Sequence, residues 1–437
     1  MQMIKLSVIA LAVAAASTQM AVASQQSESN GFIEDSTLNA HARTLYFNRD
    51  FRNTPKGTQS YAEETGLGLK AIYESGFTQG TVGFGVDAFG LQGIKLDSGG
   101  GTHGLNMLPT DGRSGKAQDN YSQAGGAVKV RLSNTTLKYG EQFVDLPVLS
   151  TDDARLLPET ATGFLVTSNE IENLELNLGH FTALTAMDQT YHDSTSSKVK
   201  GVDGVTLRSL DLVGGRYNFN DDLSAAYYYS DAKLGHNLIS RTAKKHYSNL
   251  NYDLALANEQ SINFDFNMYN SKFKDKGASK ESNNIWSLAA AYSLSPAHTL
   301  TAAYQIVSGG YDGGYDYGYD GGGAVYVANS VQIKDFNQKG EKSFQARYDL
   351  DMATYGVPGL SFMTRYVRGS NIDSAATGRN NGKNWERDTE AKYVLQSGAA
   401  KDLSFRVRQA TYRANEAANN ADINEVRLIV EYPLSIL

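Results

Sequence analysis

The sequence predicts an all-β chain, a transmembrane antiparallel β-barrel of about 18 strands with short periplasmic turns and long extracellular loops. Three observations predict it. Segments of roughly ten residues with strict apolar–polar alternation recur along the chain. The connections between them alternate between tight turns and long polar stretches. And the chain opens on an export leader, after which no run of about 20 apolar residues exists to form a spanning helix.

The leader comes first. Lys5 precedes an apolar core from Leu6 to Ala16, and Ala21-Val22-Ala23 is a small-residue cleavage site. The expected organisation is therefore a signal peptide over 1–23 and one outer-membrane barrel domain over 24–437, placed in the bacterial outer membrane after export.

The strands follow. Ser261–Asn270 puts Ile262, Phe264, Phe266 and Met268 on one face and Asn263, Asp265, Asn267 and Tyr269 on the other. Leu250–Leu256, Trp286–Leu294, Leu300–Val307, Phe344–Leu350, Leu174–Leu178 and Val426–Ile436 alternate in the same way. Strands of ten residues exceed the five or six usual in water-soluble sheets and suit a tilted crossing of a bilayer. The segments begin near Thr37, Thr65, Thr81, Gly126, Thr135, Gly163, Leu174, Thr206, Leu223, Lys244, Gln260, Asn284, His298, Glu341, Leu360, Trp385, Leu403 and Asp422. A barrel of this size is wide enough to leave an aqueous channel.

The connections are as telling. Ser133-Asn134, Ile171-Glu172-Asn173, Asn220-Asp221-Asp222, Ala257-Asn258-Glu259 and Ser295-Pro296-Ala297 read as tight turns. Between them lie the expected long connections Gln92–Gly125, Val144–Thr162, Ala186–Val205, Lys233–Ala243, Lys272–Asn283, Gly309–Gly340 and Ser370–Asn384.

Composition narrows the function. A formal net charge of −7 argues against nucleic acid as a partner. The absence of Cys removes disulfides and thiolate chemistry. A mean hydropathy of −0.40 is compatible with a barrel, in which only alternate residues need be apolar. The seven His are scattered, with no HExxH pattern and no G-x-S-x-G elbow, so neither an enzyme, nor a metal site, nor a cofactor is expected. Gly112-Arg113-Ser114-Gly115-Lys116 lacks the spacing and the Ser or Thr of a phosphate loop.

What remains is transport. In Leu403–Ala410, Leu403, Phe405 and Val407 share one face, and Ser404, Arg406 and Arg408 the other. If the apolar face meets lipid, both arginines line a wet interior. Arg131 opposes Val130 and Leu132, Arg365 opposes Phe362, Arg347 alternates with Ala346 and Tyr348, and Arg427 faces away from Leu428 and Val430. A column of guanidinium groups gives an anion successive weak stations, and the planar fork of arginine matches a carboxylate. The plainer reading is that each charge only wets the inner wall beside a neighbouring Asp or Glu. The long connection Val144–Thr162, with Asp152, Asp153, Arg155 and Pro158, either projects outward or folds inward to set an eyelet. The run Gly309–Gly323 repeats Tyr and Asp, and Tyr311 with Asp312 is a candidate acidic, aromatic lip alongside Asp152 and Asp153; the alternative is a solvated outer loop.

Several stretches carry a resemblance to a known family. Gly31-Phe32-Ile33-Glu34-Asp35-Ser36 with Tyr46-Phe47-Asn48-Arg49-Asp50-Phe51 resembles the mature start of the OprD family of outer-membrane porins. Lys95–Gly101, Pro147-Val148-Leu149, Arg155-Leu156-Leu157-Pro158, Ala328-Asn329-Ser330, Tyr393–Leu403 and Arg427–Leu434 are similar to it as well. The resemblance implies an eighteen-stranded barrel, its third loop folded into the lumen, that selectively passes small carboxylate-bearing nutrients. It is closer to the OccK and benzoate-porin branch, which takes aromatic and other monocarboxylates, than to the basic-amino-acid branch. Chitooligosaccharide porins also belong to the family, and a closed barrel acting through its outer loops is a further class. The family's basic ladder maps onto Arg43, Arg131, Arg365, Arg406 and Arg408, and its constriction arginine onto Arg155. The partners so implied are a small carboxylate solute and the lipid and lipopolysaccharide of the outer membrane, with the barrel a monomer or loose trimer.

Overall fold

The computed structural model describes residues 24–98, 102–112, 114–193, 206–236, 239–275, 277, 279–310 and 325–437. The leader read over 1–23 and the residues Tyr311 and Asp312 lie outside them.

Alternation along the chain becomes twenty strands among the described residues. They are β1 (Thr37–Arg52), β2 (Tyr61–Glu74), β3 (Val82–Asp97), β4 (Asn120–Leu132), β5 (Thr135–Gln142), β6 (Asp145–Leu146), β7 (Leu149–Ser150), β8 (Thr160–Ile171), β9 (Leu174–Thr185) and β10 (Thr206–Asn218). The second half comprises β11 (Leu223–His236), β12 (Ile239–Ala255), β13 (Ser261–Asp275), β14 (Lys280–Ser295), β15 (His298–Gly309), β16 (Lys342–Asp351), β17 (Leu360–Ser374), β18 (Arg379–Val394), β19 (Ser404–Ala414) and β20 (Asp422–Ser435). All but β6 and β7 form one antiparallel 18-stranded sheet, and β1 closes it by pairing with both β2 and β20. Closure leaves no unpaired edge, which a bilayer requires.

The faces fall as the alternation predicts. Phe405 and Val407 point outward and are 45% and 50% exposed, while Arg406 and Tyr412 point inward and are buried. Tyr252, Tyr292, Tyr348 and Tyr393 sit near the short-turn ends of their strands. Trp286 packs against Tyr304 and Tyr366 against Trp385 farther up the outer wall, so two aromatic levels bracket an apolar band. The short turns are those read from sequence, and Ser133 and Asn173 take the left-handed φ values, 54° and 63°, that such tight turns demand.

Three expected long connections are corrected. Within Lys233–Ala243, Lys272–Asn283 and Ser370–Asn384 the chain stays in strand, as β11 runs to His236 and β12 starts at Ile239, β13 runs to Asp275 and β14 starts at Lys280, and β17 runs to Ser374 and β18 starts at Arg379. Above the bilayer both faces of a strand are wet. The apolar alternation stops there while the backbone ladder continues.

Three other connections turn inward in their described parts. In residues 98–119 (loop 2), 143–159 (loop 3) and 310–341 (loop 7), the described residues dock on the inner wall through three apolar clusters. At the short-turn rim, residues 24–36 run across the turns. Gln26 is nearly fully buried there, its backbone N–H donating to Ser133 O at 3.1 Å and its side chain to Thr78 O at 2.9 Å.

Candidate functional site

Loop 3 crosses the lumen. Its β6–β7 hairpin reaches the wall halfway round from β1, where Val144, Leu146, Val148 and Leu149 bury against Tyr247, Tyr269 and Phe273, and Tyr269 Oη donates to Pro147 O at 3.0 Å. The loop then returns to β2. A Cβ on Gly66 would stand 2.7 Å from Leu156 Cδ2, and one on Gly68 2.5 Å from Leu156 O. Only glycine admits the loop backbone this close. Loop 2 backs it up, with Leu105, Met107 and Leu108 packed on Leu156 and Leu157, and with the Leu105 N–H donating to Glu64 at 3.2 Å.

Loop 7 approaches from the opposite side. The backbone N–H groups of Ile333 and Lys334 donate to the two carboxylate oxygens of Glu386 at 2.7 and 3.1 Å, and Phe336 buries against Val367, Tyr412 and Ile423. The Arg427 guanidinium donates to Gln332 O at 3.3 Å.

Between loop 3 and loop 7 stands the inner wall of β17, β18, β19, β20 and β1. Its register places charges in rows. One row reads Arg365, Asp388, Ala410, Glu425, Arg49, and the next Glu390, Arg408, Arg427, Phe47, Glu64. Arg365 Nε meets Asp388 at 2.6 Å, and Arg49 and Arg427 each meet Glu425 at 2.6 Å. Arg408 and Arg406 share Glu390, at 3.1 and 3.7 Å. Arg43 donates to Glu431 at 2.9 Å and to Asp153 of loop 3 at 2.8 Å, and Lys70 joins Asp153 at 2.7 Å. These two cations outweigh the effect of burial and hold the Asp153 carboxyl below its usual range.

Arg155 differs from the rest. Its guanidinium donates to the carbonyls of Leu105 and Ala154, at 3.1 and 3.2 Å, and lies 5.3 Å from the centre of the Phe47 ring. Arg427 and Arg49 lie over the same ring, at 4.3 and 5.3 Å. Among the described residues Arg155 makes no carboxylate contact within 4.0 Å. Burial, with Arg427 alongside, weakens its hold on its proton. Since a guanidinium keeps that proton in proteins, the unfavourable energy remains as attraction for an anion. Asp152, whose side chain accepts from the Ala154 N–H at 2.9 Å, is pushed up by burial, with Arg155 opposing the shift.

The structure therefore places Arg43, Arg365, Arg406 and Arg408 on one stretch of inner wall and Arg155, Asp152 and Asp153 in the loop that faces it, with Arg43 joined to Asp153. Arg131 is elsewhere, at the short-turn rim, where Nε donates to Gln26 Oε1 at 3.0 Å and the guanidinium covers Phe77 at 4.1 Å. Sequence alone does not mark Arg49, Lys70 or loop 7 after residue 325 as facing this wall. Alternation gives the parity of Arg49 and Lys70, but no local signal says that a loop returns to meet them. Among the described residues no group of three or more His, Asp or Glu side chains is placed to hold a metal ion.

Comparison with known proteins adds the family context. A family model described as outer membrane porin, OprD family, matches residues 30–436. Porin D of Pseudomonas aeruginosa is 48% identical over 460 residues, covering 100% of both chains. The crystal structure of Acinetobacter baumannii OccAB1 superposes with a TM-score of 0.84 at 35% identity, covering 95% of this chain and 100% of that one. Pseudomonas aeruginosa OpdK, solved with vanillate, gives a TM-score of 0.79 at 32% identity, covering 93% and 100%. These relatives are channel proteins rather than enzymes.

Proposed function

The chain belongs to the OprD family of outer-membrane porins, and on that premise we propose that it passes small carboxylate-bearing nutrients, aromatic or other monocarboxylates, down their gradient through the constriction between loop 3 and loop 7. The observation that carries the proposal is Arg155, a half-buried cation in the loop that crosses the lumen, with backbone carbonyls and an aromatic face around it and no carboxylate partner among the described residues. An incoming carboxylate supplies the missing charge. Arg43, Arg365, Arg406, Arg408 and Arg427 are the proposed stations along the wall, each tempered by a carboxylate so that the anion can leave as well as arrive. OpdK, solved with the aromatic carboxylate vanillate, supports this cargo class. Residues 1–23 act in the proposal as the export leader, and Arg131 serves the periplasmic mouth.

The test is a single-channel recording of the mature barrel under a salt gradient, titrated with benzoate. Anion preference, with current interruptions that become more frequent with benzoate and are weakened in Arg155→Ala, supports the proposal. A cation-preferring pore whose current ignores benzoate overturns it.

A second reading keeps the channel and gives it basic amino acids or peptides. It is favoured by Asp153, which is 41% exposed, and by Glu390 and Glu431 between the arginines, since a zwitterion would use both signs. Block by arginine but not by benzoate would select it.

A further inference from the structure

The outer wall carries a charge arrangement that transport does not explain. On β12, β13 and β14 the outward face holds Lys244 directly opposite Lys272, and Lys274 directly opposite Lys280. Like charges set opposite one another across a ladder destabilise it. Lys272, Lys274 and Lys280 are exposed, and among the described residues none of them makes an ion pair. Lys244 alone is partnered, with Asp231 at 2.9 Å. With the exposed Lys233 of β11, the face carries five lysines among the described residues, against Asp231 and, one strand further on, Asp211.

Its height is defined by the strands below it. In the same register Met268 and Trp286 pair across β13 and β14 at the upper aromatic level, and the row above them is polar, with His246, Asn270 and Asn284. The lysines form the next two rows. They stand just beyond the apolar band on the long-loop side, where the headgroups of the outer leaflet begin.

We infer that this face is a docking site for the phosphorylated, acidic-sugar headgroup of an outer-leaflet glycolipid. The repulsion within each lysine pair is a cost in the bare protein, and a multivalent anion spanning both pairs removes it. The cross-strand spacing suits a bridging phosphate, because the strands lie about 4.8 Å apart and each lysine stem is long and mobile. The inference rests on the outer-membrane setting and not on the cargo, so it stands or falls separately from the proposed transport.

The experiment measures binding of lipopolysaccharide to the folded barrel in detergent, with dephosphorylated lipid A and phosphatidylglycerol as the other arms. Lipopolysaccharide is expected to bind tightest. Each lysine replaced by glutamine should weaken it about fivefold, so that Lys272→Gln with Lys274→Gln loses about 25-fold. Lys272→Arg should retain binding, and Asp231→Asn should strengthen it, an effect that damage to the fold would not produce. Unchanged single-channel conductance in the glutamine variants verifies that the barrel is intact. Equal binding of wild type and the double variant, equal binding of dephosphorylated lipid A, or no response to Asp231→Asn would overturn the inference.

Discussion

Arg408 and Arg427 stand directly opposite each other across the β19–β20 ladder, both facing the lumen. Two cations in register cost stability, about 0.2–1 kcal/mol relative to a neutral pair. Glu390 beside Arg408 and Glu425 beside Arg427 reduce that cost but sit outside the pair, leaving the two guanidiniums adjacent. A wall that only needed wetting would place opposite charges or amides there. The same face of the barrel does so halfway round, where Asn249, Asp265 and Asn267 bond one another at 2.6–3.0 Å. A pair kept at a cost to stability is what the proposed anion path calls for.

It follows that Arg408→Gln should stabilise the barrel slightly while lowering its anion preference. Heat-modifiable migration on a gel reads the first effect and reversal potential the second. A variant that loses stability and keeps its selectivity would show the pair to be structural.

Arg155→Ala removes a charge-assisted contact, worth about 1.5–3 kcal/mol when a carboxylate is bound, so benzoate block should weaken roughly 10–100-fold. Arg131→Ala should leave benzoate block unchanged, because Arg131 holds Gln26 at the short-turn rim. The two variants measured side by side separate the constriction from the mouth. Equal loss in both would place the selectivity outside loop 3.

Gly68→Val drives a side chain into the Leu156 carbonyl, 2.5 Å from the new Cβ. Overpacking of this kind costs about 1–3 kcal/mol, and loop 3 can escape it by leaving the wall. The expected result is a larger single-channel conductance with weaker selectivity. An unchanged conductance with an unstable barrel would mean that the strain falls on the sheet instead.

Much of this architecture is legible in the sequence, for a physical reason. Strand parity depends only on neighbours in the chain, so once the apolar face is set against lipid, the inward placement of Arg365, Arg406 and Arg408 and the outward placement of Phe405 and Val407 follow from alternation. What was not legible depends on distant chain. The strand ends at 236 and 239, 275 and 280, and 374 and 379 rise above the apolar band, where both faces are polar and periodicity carries no information. Arg131 has the parity of a lumenal arginine, but its height follows from the two-residue turn beside it and not from its pattern. Loop 7 is anchored by Glu386, some 50 residues further on, and a low-complexity run precedes the segment that docks.

That anchoring gives loop 7 a pH dependence. Glu341 closes the loop just before β16, and its carboxylate accepts the Gln338 N–H at 3.0 Å. Burial raises its carboxyl from the usual value near 4.5 to about 7, against the opposing pull of that hydrogen bond. The docked loop therefore holds a proton, between these two values, that the undocked loop has released. The stability of docking is greatest below about 4.5, falls as the pH rises towards about 7, and is flat above it. Current fluctuations that arise from loop 7 leaving the wall should become more frequent from about pH 5 to about pH 7 and change little above that. Glu341→Gln, which is neutral throughout, should keep the low-pH pattern at every pH, so the difference between variant and wild type isolates this carboxyl from others that titrate nearby. A wild type and variant that change together with pH would assign the dependence to another group.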